Sequence, residues 1–146
     1  MERSVEYRVE AKLSNHKYMT LVHDNRGHSA TMDLPKNMGG HNTGTGPLEF
    51  LSEALAGCTI ITFQMIAIQS GVKINDMKVL VKAKKGKQTL ENAKIRVIVD
   101  SECDEETLQG ILEKTEQMCP VSAIFEKAGI TRETKLIIEK RDVFCE

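Results

Sequence analysis

Pro47-Leu48-Glu49-Phe50-Leu51-Ser52-Glu53-Ala54-Leu55-Ala56-Gly57-Cys58-Thr59-Ile60-Ile61-Thr62-Phe63-Gln64-Met65-Ile66-Ala67-Ile68-Gln69-Ser70 is the stretch that decides the architecture. Proline suits the first turn of a helix, where its missing N–H is no loss, and Gly71 supplies a stop. The helix predicted over 47–70 carries no charge from Ala54 to Val72, a run of 19 residues. That approaches the ~20 apolar residues needed to cross a bilayer. Thr59, Thr62, Gln64, Gln69 and Ser70 interrupt it, however, and basic anchors do not flank both ends. A helix apolar on nearly every side can equally be the buried centre of a soluble fold. A lone domain of 146 residues has little mass with which to wrap such a helix. A second subunit is therefore expected to complete its burial.

Outward from this helix, the N-terminal side alternates. Val5, Tyr7, Val9, Ala11 and Leu13 are apolar, while Glu6, Arg8, Glu10 and Lys12 are charged, the period of a strand with one wet face. Ser14-Asn15 and Asp24-Asn25-Arg26-Gly27 are turn signals. They separate two further strands, over His16 to His23 and roughly His28 to Leu34. Residues 35–46 form a glycine-rich loop. On the C-terminal side, strand patterns return at Met77 to Ala83 and Ala93 to Val99. Asp104 caps a helix running to about Met118. Cys119-Pro120 breaks it, a short helix over Val121 to Ala128 ends at Gly129, and Leu136-Ile137-Ile138 belongs to a last strand. The fold class expected is α+β, in one domain spanning 1–146, forming a homodimer around two long helices.

Twenty basic residues against 21 acidic ones give a net charge of -1. That balance argues against nucleic acid or an anionic membrane as the main partner. The first residues contain no apolar core of a secretion signal, which leads to the expectation of a cytoplasmic protein. Cysteines stand at 58, 103, 119 and 145 without a C-x-x-C pair or a Cys/His cluster, so no metal and no cofactor are expected.

Two of these cysteines can carry chemistry. If Pro120 opens a helix, Cys119 is its N-cap, where free N–H groups and the positive end of the dipole stabilise a thiolate. It can equally be a small buried residue at an elbow between helices. Cys58, in mid-helix, gains nothing from its own helix's dipole, so a lowered pKa would need a cation from elsewhere. On pattern alone it reads as core. His41, in the glycine-rich loop, reads first as a solvated loop residue, and Cys103 and Cys145 match no pattern.

Gly46-Pro47-Leu48-Glu49-Phe50-Leu51 with Ala54-Leu55-Ala56-Gly57-Cys58-Thr59 resembles the first cysteine motif of the OsmC/Ohr family. Cys119-Pro120-Val121-Ser122 is similar to that family's second, and Asp33-Leu34-Pro35 with Gly39-Gly40 fits its loop before the central helix. The order of elements matches over essentially the whole chain. This resemblance implies an OsmC-like fold, antiparallel sheets enclosing long central helices, in an intertwined homodimer. It also implies a thiol-dependent reduction of hydroperoxides, organic ones preferred. Cys58 would become a sulfenic acid, Cys119 would resolve it as a disulfide, and a thiol reductant, a lipoyl dithiol in the Ohr branch, would reset the pair. One departure stands out: in the Ohr and OsmC branches a glutamate follows the motif proline and pairs with a catalytic arginine, and here Leu48 holds that place. The acid is Glu49, half a turn out of phase with Cys58. It serves either as a contact for an arginine or the other subunit, or as a first-turn acid. Arg26 falls about where the family's arginine does, and is otherwise a solvated turn residue. The alternative to the enzyme is a non-catalytic dimeric module that binds an apolar small molecule at its interface.

Overall fold

The computed structural model describes residues 4–140. Cys145, read above as incidental, lies outside them. The chain divides into two compact units between Leu51 and Ser52.

The first unit is an antiparallel meander of β1 (Glu10–Leu13), β2 (Thr20–His23) and β3 (Ser29–Met32). Its strands are shorter than the sequence pattern suggests. His16 to Met19 closes a turn, with the Met19 N–H donating to the His16 carbonyl at 2.7 Å and Lys17 at a positive φ of 31°. β2 therefore starts only at Thr20, and among the described residues before Glu10 no strand is formed. Pairing runs from Glu10 opposite His23 to Leu13 opposite Thr20. Every residue of β1 is exposed, its expected apolar face included.

After β3 the glycine-rich loop is organised by one carboxylate. Asp33, 2% exposed, accepts hydrogen bonds from the N–H groups of Leu34 (2.7 Å), His41 (3.2 Å) and Thr43 (3.1 Å), and from the Thr43 hydroxyl (2.7 Å). The Thr43 hydroxyl and N–H, then the other amides, hold its pKa down at about 2. The loop contains a 3-10 turn at Lys36–Met38 and leads into α1 (Pro47–Gln69). Phe50 donates to the Gly46 carbonyl at 2.8 Å, the first bond of that helix.

The second unit is built on β4 (Asp76–Lys85), β5 (Leu90–Asp100) and β6 (Thr131–Ile138) in the order β4-β5-β6. β4 and β5 are antiparallel, whereas β5 and β6 run parallel, joined through α2 (Glu105–Met118) and α3 (Pro120–Lys127). β5 alternates strictly, with Ala93, Ile95, Val97 and Val99 buried and Lys94 and Arg96 exposed. In α2 the buried residues Leu108, Ile111, Leu112 and Thr115 recur at helical spacing. The Asp104 side chain caps α2 by accepting from the Thr107 N–H at 3.1 Å. Both α1 and α3 end in a Schellman arrangement on a left-handed glycine. At Gly71 (φ 70°), Val72 donates to Ala67 at 2.8 Å and Gly71 to Ile68 at 3.1 Å. At Gly129 (φ 75°), Ile130 donates to Phe125 and Gly129 to Glu126, each at 3.0 Å.

By length and composition α1 is able to cross a membrane, with a mean hydropathy of 1.6 over its best window. One flank of it is core: Leu55, Thr59, Thr62, Phe63, Ile66 and Ala67 are buried. The opposite flank leaves Ile61 (62%), Met65 (54%) and Ile68 (66%) exposed.

Asp33 offers a direct check of how the loop is held. A carboxylate whose folded pKa is depressed stabilises the fold fully above its ordinary value near 4, and that stability is lost as pH falls towards about 2. Asp33→Asn replaces a charged acceptor by a weaker neutral one. Its melting temperature should fall below the wild type's at neutral pH, and the difference should close as pH is lowered through that window.

Candidate active site

The site forms where the middle of α1 meets the start of α3. Cys119 terminates α2, its N–H donating to the Thr115 carbonyl at 2.8 Å, and at the same time is the N-cap of α3. Pro120 follows as the first helical residue, so the chain turns from one helix into the next with Cys119 alone between them. The Cys119 side chain accepts from the Ser122 N–H at 3.5 Å, as expected for a residue at this cap.

Cys58, from the middle of α1, arrives at the same turn. Its sulfur lies 2.8 Å from that of Cys119. It also receives a hydrogen bond from the Val121 backbone, and its Sγ stands 3.9 Å from the Thr62 hydroxyl one turn along α1. Consecutive first-turn amides of α3 thus serve the two sulfurs separately, Val121 for Cys58 and Ser122 for Cys119. A mid-helix cysteine gets end-of-helix help after all, from a helix not its own. No local pattern signals this, because the contact joins residues 58 and 121. A threonine four residues after Cys58 was the only local clue, since i and i+4 side chains share a helix face.

The two sulfurs differ in access. Cys119 is buried, at 1% exposure, while Cys58 is partly open. Burial is the largest influence on the Cys58 thiol and pushes its pKa up, with the neighbouring Cys119 sulfur adding to the rise. The Val121 and Thr62 hydrogen bonds oppose it.

The other candidates sit elsewhere. Arg26 lies in the turn between β2 and β3 with its side chain 77% exposed, its guanidinium 3.4 Å from the Asp24 carboxylate. Glu49, in the first turn of α1, accepts from the Gly46 N–H at 3.3 Å, the return half of a capping box. The His41 ring lies 5.6 Å from that of His16. Cys103 is partly buried with its thiol 3.7 Å from Asp104. Among the described residues no group of three His, Cys, Asp or Glu side chains is arranged to hold a metal.

A meander, a long helix, a mixed three-stranded sheet and two cysteines meeting at a Cys-Pro helix start define the OsmC class of fold. The sequence model described as OsmC-like protein matches residues 40–135, and the chain belongs to that family. An OsmC-like protein from Mycoplasma pneumoniae superposes with a TM-score of 0.82 at 17% identity, covering 93% of this chain and 99% of that one. An organic hydroperoxide resistance protein from Elizabethkingia anophelis gives 0.73 at 20% identity, covering 97% and 100%. Another, from Legionella pneumophila, gives 0.70 at 11%, covering 93% and 99%. At these identities the likeness extends to the fold. No curated protein sequence matches the chain.

Thr62 is open to test. Thr62→Val removes a donor to the Cys58 thiolate, and the pH profile of Cys58 alkylation should move to higher pH. Mass mapping of the Cys58 peptide in a Cys119→Ser background reads this. An unmoved profile would remove Thr62 from the site.

Proposed function

We propose that this chain is a thiol-dependent peroxidase that reduces hydroperoxides, organic ones preferred, as a cytoplasmic homodimer. The observation that carries the reading is the pairing of a partly open Cys58 with a buried Cys119, their sulfurs 2.8 Å apart on one helix start. The Cys58 thiolate attacks one oxygen of the peroxide and the O–O bond breaks. The departing alkoxide takes a proton and leaves as the alcohol, and Cys58 holds a sulfenic acid. Cys119, as thiolate, attacks that sulfur and expels hydroxide, which leaves as water, so the pair ends as a disulfide. An external dithiol then supplies two electrons, becoming a disulfide itself, and both cysteines return as thiols. In that reduction the open sulfur, Cys58, is the one attacked. Cys119 departs as a thiolate onto the Ser122 N–H.

Burial pushes the Cys58 thiol up, which a permanent cation would offset. Arg26 is the residue proposed for this, from either subunit, and Glu49 the acid that steadies it. The same upward push favours the second reading, a non-catalytic dimeric module whose cysteines are core. Peroxide consumption with a dithiol reductant separates the two. Cys58→Ser should abolish it, Cys119→Ser should allow one turnover and then stall, and Arg26→Ala should slow it at neutral pH without unfolding the protein. Undiminished cycling by Cys58→Ser would rule out the enzyme as drawn.

Support for the homodimer comes from α1, where Ile61, Met65 and Ile68 form an exposed apolar stripe at helical spacing. Such a stripe on a soluble protein marks an interface. Light scattering of the wild type should give a dimer, and Ile61→Asp with Ile68→Asp should shift it to the monomer; a wild-type monomer at micromolar concentration would contradict the assembly.

A further inference from the structure

One face of the sheet β4-β5-β6 carries a concentration of exposed cations. Register places Lys82 directly opposite Lys94, and Arg96 opposite both Leu80 and Lys135. Lys78 and Lys84 continue the same face along β4, and Glu133, opposite Lys94, is the one acid among them. Lys78, Lys82, Lys84, Lys94, Arg96 and Lys135 reach solvent, Arg96 and the lysines alike being exposed. Like charges directly opposite across a ladder are destabilising. None of these six cations stands within ion-pair distance of a carboxylate among the described residues, where the ion pairs are all formed elsewhere. In a chain of net charge -1, this concentration is not an effect of composition.

Two further features adjoin it. Ile98 and Ile137 are paired neighbours on β5 and β6, and Leu80, 41% exposed, lies diagonally beside Ile98. Beyond this apolar island the face turns acidic. Asp76 opposes Asp100, and with Met77, Lys78, Ile98 and Glu139 they line a hollow of about 370 Å³. Along the strands the face therefore runs from Lys82 and Lys94, through Leu80 beside Arg96 and Lys135, to Ile98 and Ile137 beside Lys78, and ends on Asp76 and Asp100.

We propose that this sheet face docks an acidic protein segment bearing apolar side chains. Its carboxylates lie over Lys82, Lys94, Arg96 and Lys135, and its apolar anchors on Leu80, Ile98 and Ile137. The apolar island and the acidic end set this apart from a phosphate-binding surface. No aromatic residue on the face could stack a base, and the Asp76–Asp100 end repels a polyanion extended along the strands. Charge complementarity of this kind chiefly sets encounter rate and orientation, with the apolar contact slowing release.

The test uses the full chain and fluorescence anisotropy with a labelled peptide of alternating Glu and Leu. Polyglutamate of the same length, duplex DNA and vesicles of mixed neutral and anionic lipid serve as competitors. The Glu/Leu peptide should bind more tightly than polyglutamate, and added salt should weaken it. Lys82→Glu with Arg96→Glu turns both like-charged pairs into opposite ones, Glu against Lys94 and Glu against Lys135. Thermal stability should therefore hold or rise while binding falls at least about tenfold. Leu80→Ser should weaken the Glu/Leu peptide and leave polyglutamate unchanged. Equal binding by the charge-reversed variant, or no advantage of the Glu/Leu peptide over polyglutamate, would overturn the proposal. So would displacement by DNA or vesicles at lower charge concentration than by the peptide.

Discussion

The first turn of α3 is the constraint on which the second unit's chemistry depends. An α-helix leaves its first N–H groups without intrahelical partners, and here two of them are taken by sulfur, Val121 by Cys58 and Ser122 by Cys119. Cys119 can do this only because it is at once the end of α2 and the cap of α3. Pro120 makes the junction sharp, since it cannot continue α2 with a hydrogen bond yet is well suited to open α3. α1 must then bring its midpoint to that junction. The alternation of small and apolar residues around Cys58, Ala54, Ala56 and Gly57 among them, leaves the thiol partly open rather than buried under neighbouring side chains.

Much of this was legible in the sequence wherever the signal is local. Pro47 and Gly71 bracketed α1 to within a residue of its observed span, and Asp104, Cys119-Pro120 and Gly129 punctuated the two later helices. Their capping chemistry acts over three or four residues, which is the range that a sequence pattern exposes. Tertiary facts were not legible. The parallel pairing of β5 with β6 depends on the connection through α2 and α3. The Val121 contact joins residues 63 positions apart. β1 shows the opposite failure: a clean alternation from Val5 to Leu13 produced a strand of four residues, because a strand extends only as far as its neighbour and a turn at His16 to Met19 shortened β2.

Charge gives a related lesson. A net charge of -1 summarises the chain as neutral, yet β4 places Lys78, Lys82 and Lys84 on one side by the period of two alone. Only the register adds Lys94, Arg96 and Lys135 to the same field. Bulk balance is informative about solubility and about non-specific attraction to polyanions. It does not describe a single face, and the concentration of cations on the β4-β5-β6 sheet is visible only once strands are aligned.

The place of Leu48 and Glu49 bears on how a thiol such as Cys58 reacts. No acid directly follows Pro47, and Glu49 is engaged with the Gly46 N–H at the mouth of α1. Within the second unit the described support for a Cys58 thiolate is therefore neutral, a backbone amide and a hydroxyl, set against burial that pushes the thiol up. With no charge inside that unit set against burial, the thiol is pushed up and its thiolate fraction reduced. Reactivity falls less than that fraction. With a Brønsted coefficient of about 0.4–0.5, each unit of added pKa cuts the thiolate about tenfold but makes it about threefold more nucleophilic, a net loss of only about threefold. A partly open sulfur whose pKa is pushed up is thus compatible with the proposed peroxide chemistry, and the proposed resolving step would be helped by proximity, since Cys119 stands 2.8 Å away. On the proposed reading, what the second unit itself would supply is the pairing of its two sulfurs, and any activating charge would have to be added to it.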